Sequence, residues 1–269
     1  CNSLIVLCDL CVKYTATVDS YVMNMSDCFA DSSSIVRRQA LLIMTRLIAE
    51  DYIKMRSLLL FRFIYSIVDK NKDVSNFAQS CLFDVLNNKD PKLLSQHFID
   101  ALFYFNDQMD LQALNEDLSS HSLFRIPKKE DRIRAYGMMI SRMNNATLFE
   151  LLQLSCVKVL QSFTELTIDL KEGESLLADT LEVMQLIEDQ MEAVNITEVN
   201  LDDPNGEHIA EQSRIYMTML HDNLIKRVLP ILNQMHRFLR ESNSPLQSEL
   251  RNFFRKFCQK HPSLLEELR

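Results

Sequence analysis

Apolar side chains return every three or four positions along most of this chain, the period of an amphipathic helix. Ser3 to Tyr14 reads as one helix. Asp19 to Ala30 reads as the next, with Val22, Met25, Cys28 and Phe29 on one face. Asp31 and three serines make a turn in which Ser34 is a candidate cap. Ile35 to Glu50 then repeats the pattern through Val36, Ala40, Ile43, Met44, Leu47 and Ile48. A further pair runs from Ile53 to Val68 and from Asp73 to Leu86. Asn87 to Asp90 breaks it, and Pro91 suits the first turn of a helix at Leu93 to Phe105. Glu130 to Met143 and Thr147 to Glu165 form another antiparallel pair. Gly173 interrupts, and Glu174 to Ala193 is acidic and amphipathic. Glu207 to Glu241 is one long pattern, kinked or restarted at Pro230. Ser244-Pro245 opens a last helix to about Lys260.

Within this pattern one motif returns after 38 positions. Asp31, Val36, Arg37, Arg38 and Ala40 are echoed by Asp69, Val74, Ser75 and Ala78, each set leading into an apolar helix. A period near 40 with this turn predicts HEAT-type helical hairpins. The fold expected is therefore all-α: a HEAT-type α-solenoid of stacked antiparallel helical hairpins in a right-handed superhelix, with degenerate C-terminal repeats. The expected divisions are HEAT repeats at 1–107, an insertion loop at 108–129, and degenerate helical repeats with the acidic helix at 130–193. A linker at 194–206 and C-terminal helices at 207–269 complete the chain. Ser3 to Tyr14 reads as the second helix of a repeat whose first helix is missing, and the whole reads as a piece of something longer.

Composition strengthens the helical reading. Only 3 Gly and 6 Pro occur in 269 residues, and 47% of the chain is apolar, enough for a stacked helical core. No apolar run approaches the roughly 20 residues of a membrane helix, so no membrane is expected. Seven scattered cysteines suit reduced thiols in the cytosol or nucleus. The net charge of −8 is unevenly spread. Residues 151–213 carry 2 Lys/Arg against 14 Asp/Glu, and residues 214–269 carry 10 against 5. Such asymmetry guides partners.

The candidate chemistry is that of binding. Asp31, Arg37 and Asp69 sit where stacked repeats form a ladder of ion pairs, and Ser75 changes that ladder in the next repeat. Arg38 has no duty in the pattern and is the better contact residue. Arg37, Arg38, Lys54, Arg56, Arg62, Lys70 and Lys72 form a basic cluster suited to phosphate backbones, although acidic residues interleave. Lys128, Lys129, Arg132 and Arg134 form a second group. Arg237, Arg240, Arg251, Arg255, Lys256 and Lys260 are spread over the last two helices, where Phe253, Phe254 and Phe257 read as core. Cys8 and Cys11 are spaced C-x-x-C, but no second ligand pair lies in sequence reach, so core packing is the reading. No H-E-x-x-H, phosphate loop or nucleophile elbow is present. No catalytic residue, metal or cofactor is expected.

The run Asp31, Val36-Arg37-Arg38, Leu41-Leu42, Thr45, Leu47-Ile48 and Glu50-Asp51-Tyr52-Ile53-Lys54 resembles the block shared by condensin HEAT-repeat subunits that pair with the kleisin. Val68-Asp69, Phe77-Ala78 and Cys81-Leu82 continue it. Gln96-His97-Phe98-Ile99 with Phe105-Asn106 is more similar to the condensin II version. The resemblance covers about residues 1–107. It implies a non-catalytic scaffold subunit of condensin II, acting in mitotic chromosome condensation on chromosomes in the nucleus. Its implied partners, in a hetero-oligomer, are the kleisin subunit, the SMC subunits and DNA or chromatin, and this region would be part of the C-terminal HEAT region. The rival readings are a HEAT adaptor for protein partners with no DNA role, and a helical enzyme.

Overall fold

The computed structural model describes residues 2–14, 21–110, 121–191 and 224–260. The linker expected at 194–206 lies outside them, as does the start of the long pattern at 207–223. Among the described residues every regular element is helical. The chain divides into two compact units, Cys1–Arg142 and Met143–Arg269.

In the first unit α1 is Asn2–Lys13, and α2 is Val22–Asp27 with a tighter turn at Cys28–Ala30. Helix α3 is Ser34–Ala49 and α4 is Ser57–Ile67. Helix α5 is Lys72–Gln79, running on through wider turns at Ser80–Leu86 to Asn87–Lys89. Helices α6, Leu93–Phe105, and α7, Lys129–Ile140, follow. Helix α3 packs on α1 and α5, while α4 packs on α2 and α6. The first helices of successive hairpins thus form one layer and the second helices another, as the 38-residue echo requires. Helix α4 is the centre: nine of its eleven residues are buried, because α2, α5, α6, α7 and the turn His121–Phe124 all contact it.

One expectation needs correction here. The helix expected from Ile53 starts only at Ser57, because residues 50–56 turn the chain and bury Ile53. Of the insertion loop expected at 108–129, residues 111–120 lie outside those described; its far end is anchored, since Phe124 and Ile126 are buried and Phe124 meets Tyr65 edge-on at 5.3 Å. The full Asp-x4-Val-Arg motif is absent from the sequence after residue 105, yet an aspartate makes the same local turn in the second unit. Asp31, Asp69 and Asp169 each accept a hydrogen bond on Oδ1 from the backbone N–H two residues on, at 2.8, 2.7 and 2.8 Å. That bond mimics a backbone turn and fixes the hairpin.

In the second unit α8 is Asn145–Leu154, extended by wider turns at Ser155–Leu160 to Gln161–Thr164. Helix α9 is Glu174–Gln190; α10 is Leu229–Glu241 after wider turns at Leu224–Val228; α11 is Gln247–Lys260. Gly173, just before α9, is a true close approach. A Cβ there would fall 2.6 Å from the Phe163 ring and 2.7 Å from Ile168.

With so few glycines, helices here end on side-chain-bearing residues in the left-handed region. Asp51, Asp107, Leu166 and Asn243 have φ of 62°, 57°, 58° and 49°. In each case the next residue's N–H reaches back five residues to a helix carbonyl, at 2.9 to 3.1 Å, which is the Schellman closure. Leu166 is the costly member. It is 76% exposed, so its side chain recovers little of the roughly 1 kcal/mol that left-handed backbone costs a residue with a Cβ. Leu166→Gly is expected to raise the stability of the second unit by about 0.5–1 kcal/mol, read as a higher urea midpoint.

Two buried acids make stability sensitive to alkaline pH. Burial pushes the Tyr104 hydroxyl up to about 12 and the Cys156 thiol, fully enclosed, from the usual 9.0 to about 12. Both stay protonated in the native state at pH values where the unfolded chain ionises. The stability they contribute is therefore complete below pH 9 and is lost as pH rises toward 12. Denaturant midpoints measured across that range should fall, and Cys156→Ala should flatten the fall in the second unit by about 4 kcal/mol at most.

Candidate functional site

The sequence groups seven cations in the first unit, and the structure does not bring them together. Arg37 lies inside. Its Nε donates to Asp69 Oδ2 at 2.7 Å and its Nη2 to Asp69 Oδ1 at 3.0 Å, both side chains being 5% exposed. Its Nη1 donates to the carbonyls of Asp31 and Ser32 at 2.8 and 3.2 Å. The rung therefore joins Arg37 of one hairpin to the turn aspartate of the next, while Asp31 contributes its carbonyl and its carboxylate shapes its own turn. Where Arg is replaced by Ser75, the hydroxyl donates to the Ile67 carbonyl at 2.6 Å, so the ladder gives way to a local bond.

Arg62 is a correction. It was expected among the phosphate contacts, but its side chain is 4% exposed. Nη1 donates to the Met23 carbonyl and to Ser26 Oγ, and lies 2.8 Å from Asp27 Oδ1. The last contact is an ion pair rather than a directional hydrogen bond, since Oδ1 accepts none of good alignment. The guanidinium also stacks 4.5 Å from the Phe124 ring centre. It staples α2 and the segment before α7 onto α4.

The other five divide between two edges. Arg38, Lys70 and Lys72 are exposed beside the turns that start α3 and α5. Lys54 and Arg56 do not open a helix; they lie in the segment before α4, with Lys54 exposed and Arg56 half-buried. Helix α4 separates the two sets, and its eleven residues span about 16 Å. At the second edge Lys89 donates to the carbonyls of Ile48 and Ala49 at 2.7 and 2.9 Å and pairs with Asp51. It neutralises the end of α3, a role that spacing alone did not signal.

The group at 128–134 is also mostly spent. Arg132 is buried and donates to the carbonyls of Ile126 and Pro127 at 3.1 Å each. Arg134 pairs with Asp131 at 3.1 Å, Lys129 is half-buried, and Lys128 is exposed.

Ser57, His97 and Asp100 come together by folding, yet they do not make a catalytic relay. Ser57 Oγ at 3.3 Å and Asp100 Oδ2 at 3.8 Å approach the same ring atom, Nδ1. A relay passes a proton between the two ring nitrogens, which this arrangement prevents. Among the described residues no group of three or more His, Cys, Asp or Glu is placed to hold a metal ion. Cys8 is a buried free thiol. In the second unit an open groove of about 450 Å³ runs between residues 166–174 and 242–245. Its one turn-forming carboxylate, Asp169, is engaged with the Lys171 N–H.

This arrangement is that of stacked helical repeats, and comparisons with known proteins place the chain in a family. Residues 1–134 match the family described as non-SMC mitotic condensation complex subunit 1. Residues 183–268 match the HEAT repeats described as condensin-2 complex subunit D3-like. Condensin-2 complex subunit D3 of Mus musculus is 30% identical over 273 residues, covering 96% of this chain and 18% of that protein. The chain belongs to the condensin-2 D3 family of HEAT-repeat subunits. Subunit D3-L of Xenopus laevis is 29% identical over 96% of the chain, and CAP-D3 of Arabidopsis thaliana 23% over 99%. The chain spans 18% of the frog relative and 22% of the plant one. No solved structure matches it. Both units of this D3-family chain thus fall within the similarity, including the second, where the repeat echo has faded. Among the described residues no helix is long and apolar enough to cross a membrane.

Proposed function

We propose that this chain is part of a non-catalytic HEAT scaffold subunit of condensin II, acting on chromosomes in the nucleus. In this reading it binds the kleisin subunit, the SMC subunits and DNA during mitotic chromosome condensation. The observation that carries it is the similarity to condensin-2 D3 subunits, which extends over 96% of the chain. The geometry supports a binding role. Arg37, Arg62 and Arg132 hold the repeats together, whereas Arg38, Lys70 and Lys72 stay exposed along one edge. DNA contact in the first unit is assigned to that edge, with Lys54 and Arg56 as a separate contact across α4.

One observation favours a protein partner on the same side. Ile35 is 72% and Leu42 49% exposed on α3, flanking Arg38 at helical spacing. An apolar stripe of this kind suits a protein segment better than a phosphate backbone, and the kleisin is the partner assigned to it. Two measurements test the proposal. Kleisin segments should capture the chain, and Ile35→Asp with Leu42→Asp should abolish capture while helicity is kept. Arg38→Glu, Lys70→Glu and Lys72→Glu together should weaken duplex DNA binding at low salt by about tenfold. Unchanged DNA affinity would leave the protein-adaptor reading for this edge.

A further inference from the structure

The hairpin of α10 and α11 carries a surface that the reading above does not use. Helix α10 buries Leu229, Leu232, Met235 and Leu239, and α11 buries Leu250, Phe253 and Phe257. Both helices pack on the preceding hairpin: α10 meets residues 155–164, and α11 meets α9. Their outward faces therefore point the same way. Those faces hold Arg227, Arg237, Arg240, Arg251, Arg255 and Lys256, all exposed. Residues 224–260 contain 8 Lys/Arg against 2 carboxylates, Glu241 and Glu249. Among the described residues none of those six cations lies in an ion pair. The first unit is different, because its arginines are largely spent on carboxylates and carbonyls. A chain of net charge −8 thus keeps a concentrated patch of unneutralised cations in one place.

We propose that this outer face binds the phosphate backbone of double-stranded nucleic acid without reading its sequence. It goes beyond the function proposed above by placing a second, independent contact in the second unit. Two features select this ligand. Among the described side chains of residues 226–259 no large apolar one is exposed, whereas a protein partner would need buried apolar or aromatic anchors at the centre of its contact. Single strands are held by stacking bases on exposed aromatic rings, and here Phe253 and Phe257 are buried and stacked on each other at 5.7 Å, while Phe238 and Phe254 are half-buried. Besides the cations the face carries Asn233, Gln234 and Asn252, side chains that hydrogen-bond phosphate oxygens, together with Pro230, Ser248 and one carboxylate, Glu241. Packed helices lie about 8–10 Å apart. The face therefore presents two neighbouring rows of cations to a phosphate backbone.

The test uses the 269-residue chain, a labelled duplex of arbitrary sequence, and fluorescence anisotropy over a range of salt. Arg237→Glu with Arg240→Glu, and separately Arg251→Glu with Arg255→Glu, should each weaken binding by about tenfold or more. The matching Arg→Gln pairs should lower the slope of log affinity against log salt by about 2. A single strand of the same length should bind more weakly. Wild-type affinity and slope in all four paired variants, with helicity kept, would overturn the inference. So would displacement of the duplex by polyglutamate as readily as by unlabelled duplex, which would mark an acidic-protein surface instead. The Arg38→Glu, Lys70→Glu, Lys72→Glu variant is measured in parallel. Loss there alone overturns only this inference; loss in the hairpin alone overturns only the DNA role of the first unit.

Discussion

Exchanging Arg37 for methionine should lower the stability of the first unit by about 3–5 kcal/mol, seen as a lower urea midpoint by circular dichroism. The cost is not simply that of two hydrogen bonds. Asp69 is 5% exposed, and with the guanidinium gone it would be a buried carboxylate facing only the Asn71 N–H at 2.7 Å. The carbonyls of Asp31 and Ser32 would lose their donor as well. Adding Asp69→Asn should recover part of the loss, because a neutral amide no longer strands a charge and the two changes share one contact. The control is the next residue. Arg38 is exposed, its guanidinium 4.6 Å from the Phe77 ring centre, and such a contact at an exposed site contributes about 0.5–1 kcal/mol. Adjacent arginines of equal charge should therefore differ severalfold. Equal midpoints for Arg37→Met and Arg38→Met would remove Arg37 from the ladder.

What the sequence reveals and conceals follows from how far each feature reaches. Helical spacing is local, so Leu93 to Phe105 is read with the bounds it has in the structure. The Asp31 and Asp69 turns are local too, and their echo carries the hairpin reading. Asp169 makes the same turn but is followed by neither Val nor Arg at the repeat positions, so the motif does not recognise it. The start of α4 is misplaced because Ile53 continues the apolar pattern while the chain is still turning out of the left-handed cap at Asp51. Phe124 and Ile126 are hidden by their polar surroundings; only the fold, which brings Tyr65 beside Phe124 and buries both residues, shows them to be anchors. Pairing is the least legible property of all. Spacing locates the arginines of α10 and α11, but whether a carboxylate neutralises them depends on which elements lie alongside. Arg62 and Asp27 stand 35 positions apart with no pattern between them.

Arg62 gives the sharpest separation of folding from binding. Arg62→Met should cost the first unit about 3–5 kcal/mol, since Asp27, the Met23 carbonyl and Ser26 lose their common partner. Asp27 is 32% exposed and can partly rehydrate, which places the loss toward the lower end. Arg62→Lys keeps the charge but not the planar fork that meets several acceptors while lying over Phe124. It should still cost about 1–2 kcal/mol. For a unit of this size such losses lower the melting temperature by about 2–4 °C per kcal/mol. Neither variant removes an exposed cation, so DNA affinity measured well below the melting transition should equal that of wild type, with the same salt slope. Lys70→Glu with Lys72→Glu should do the reverse, weakening DNA while leaving the melting curve in place. A weaker DNA complex in fully folded Arg62→Lys would show that the buried guanidinium reaches the ligand after all.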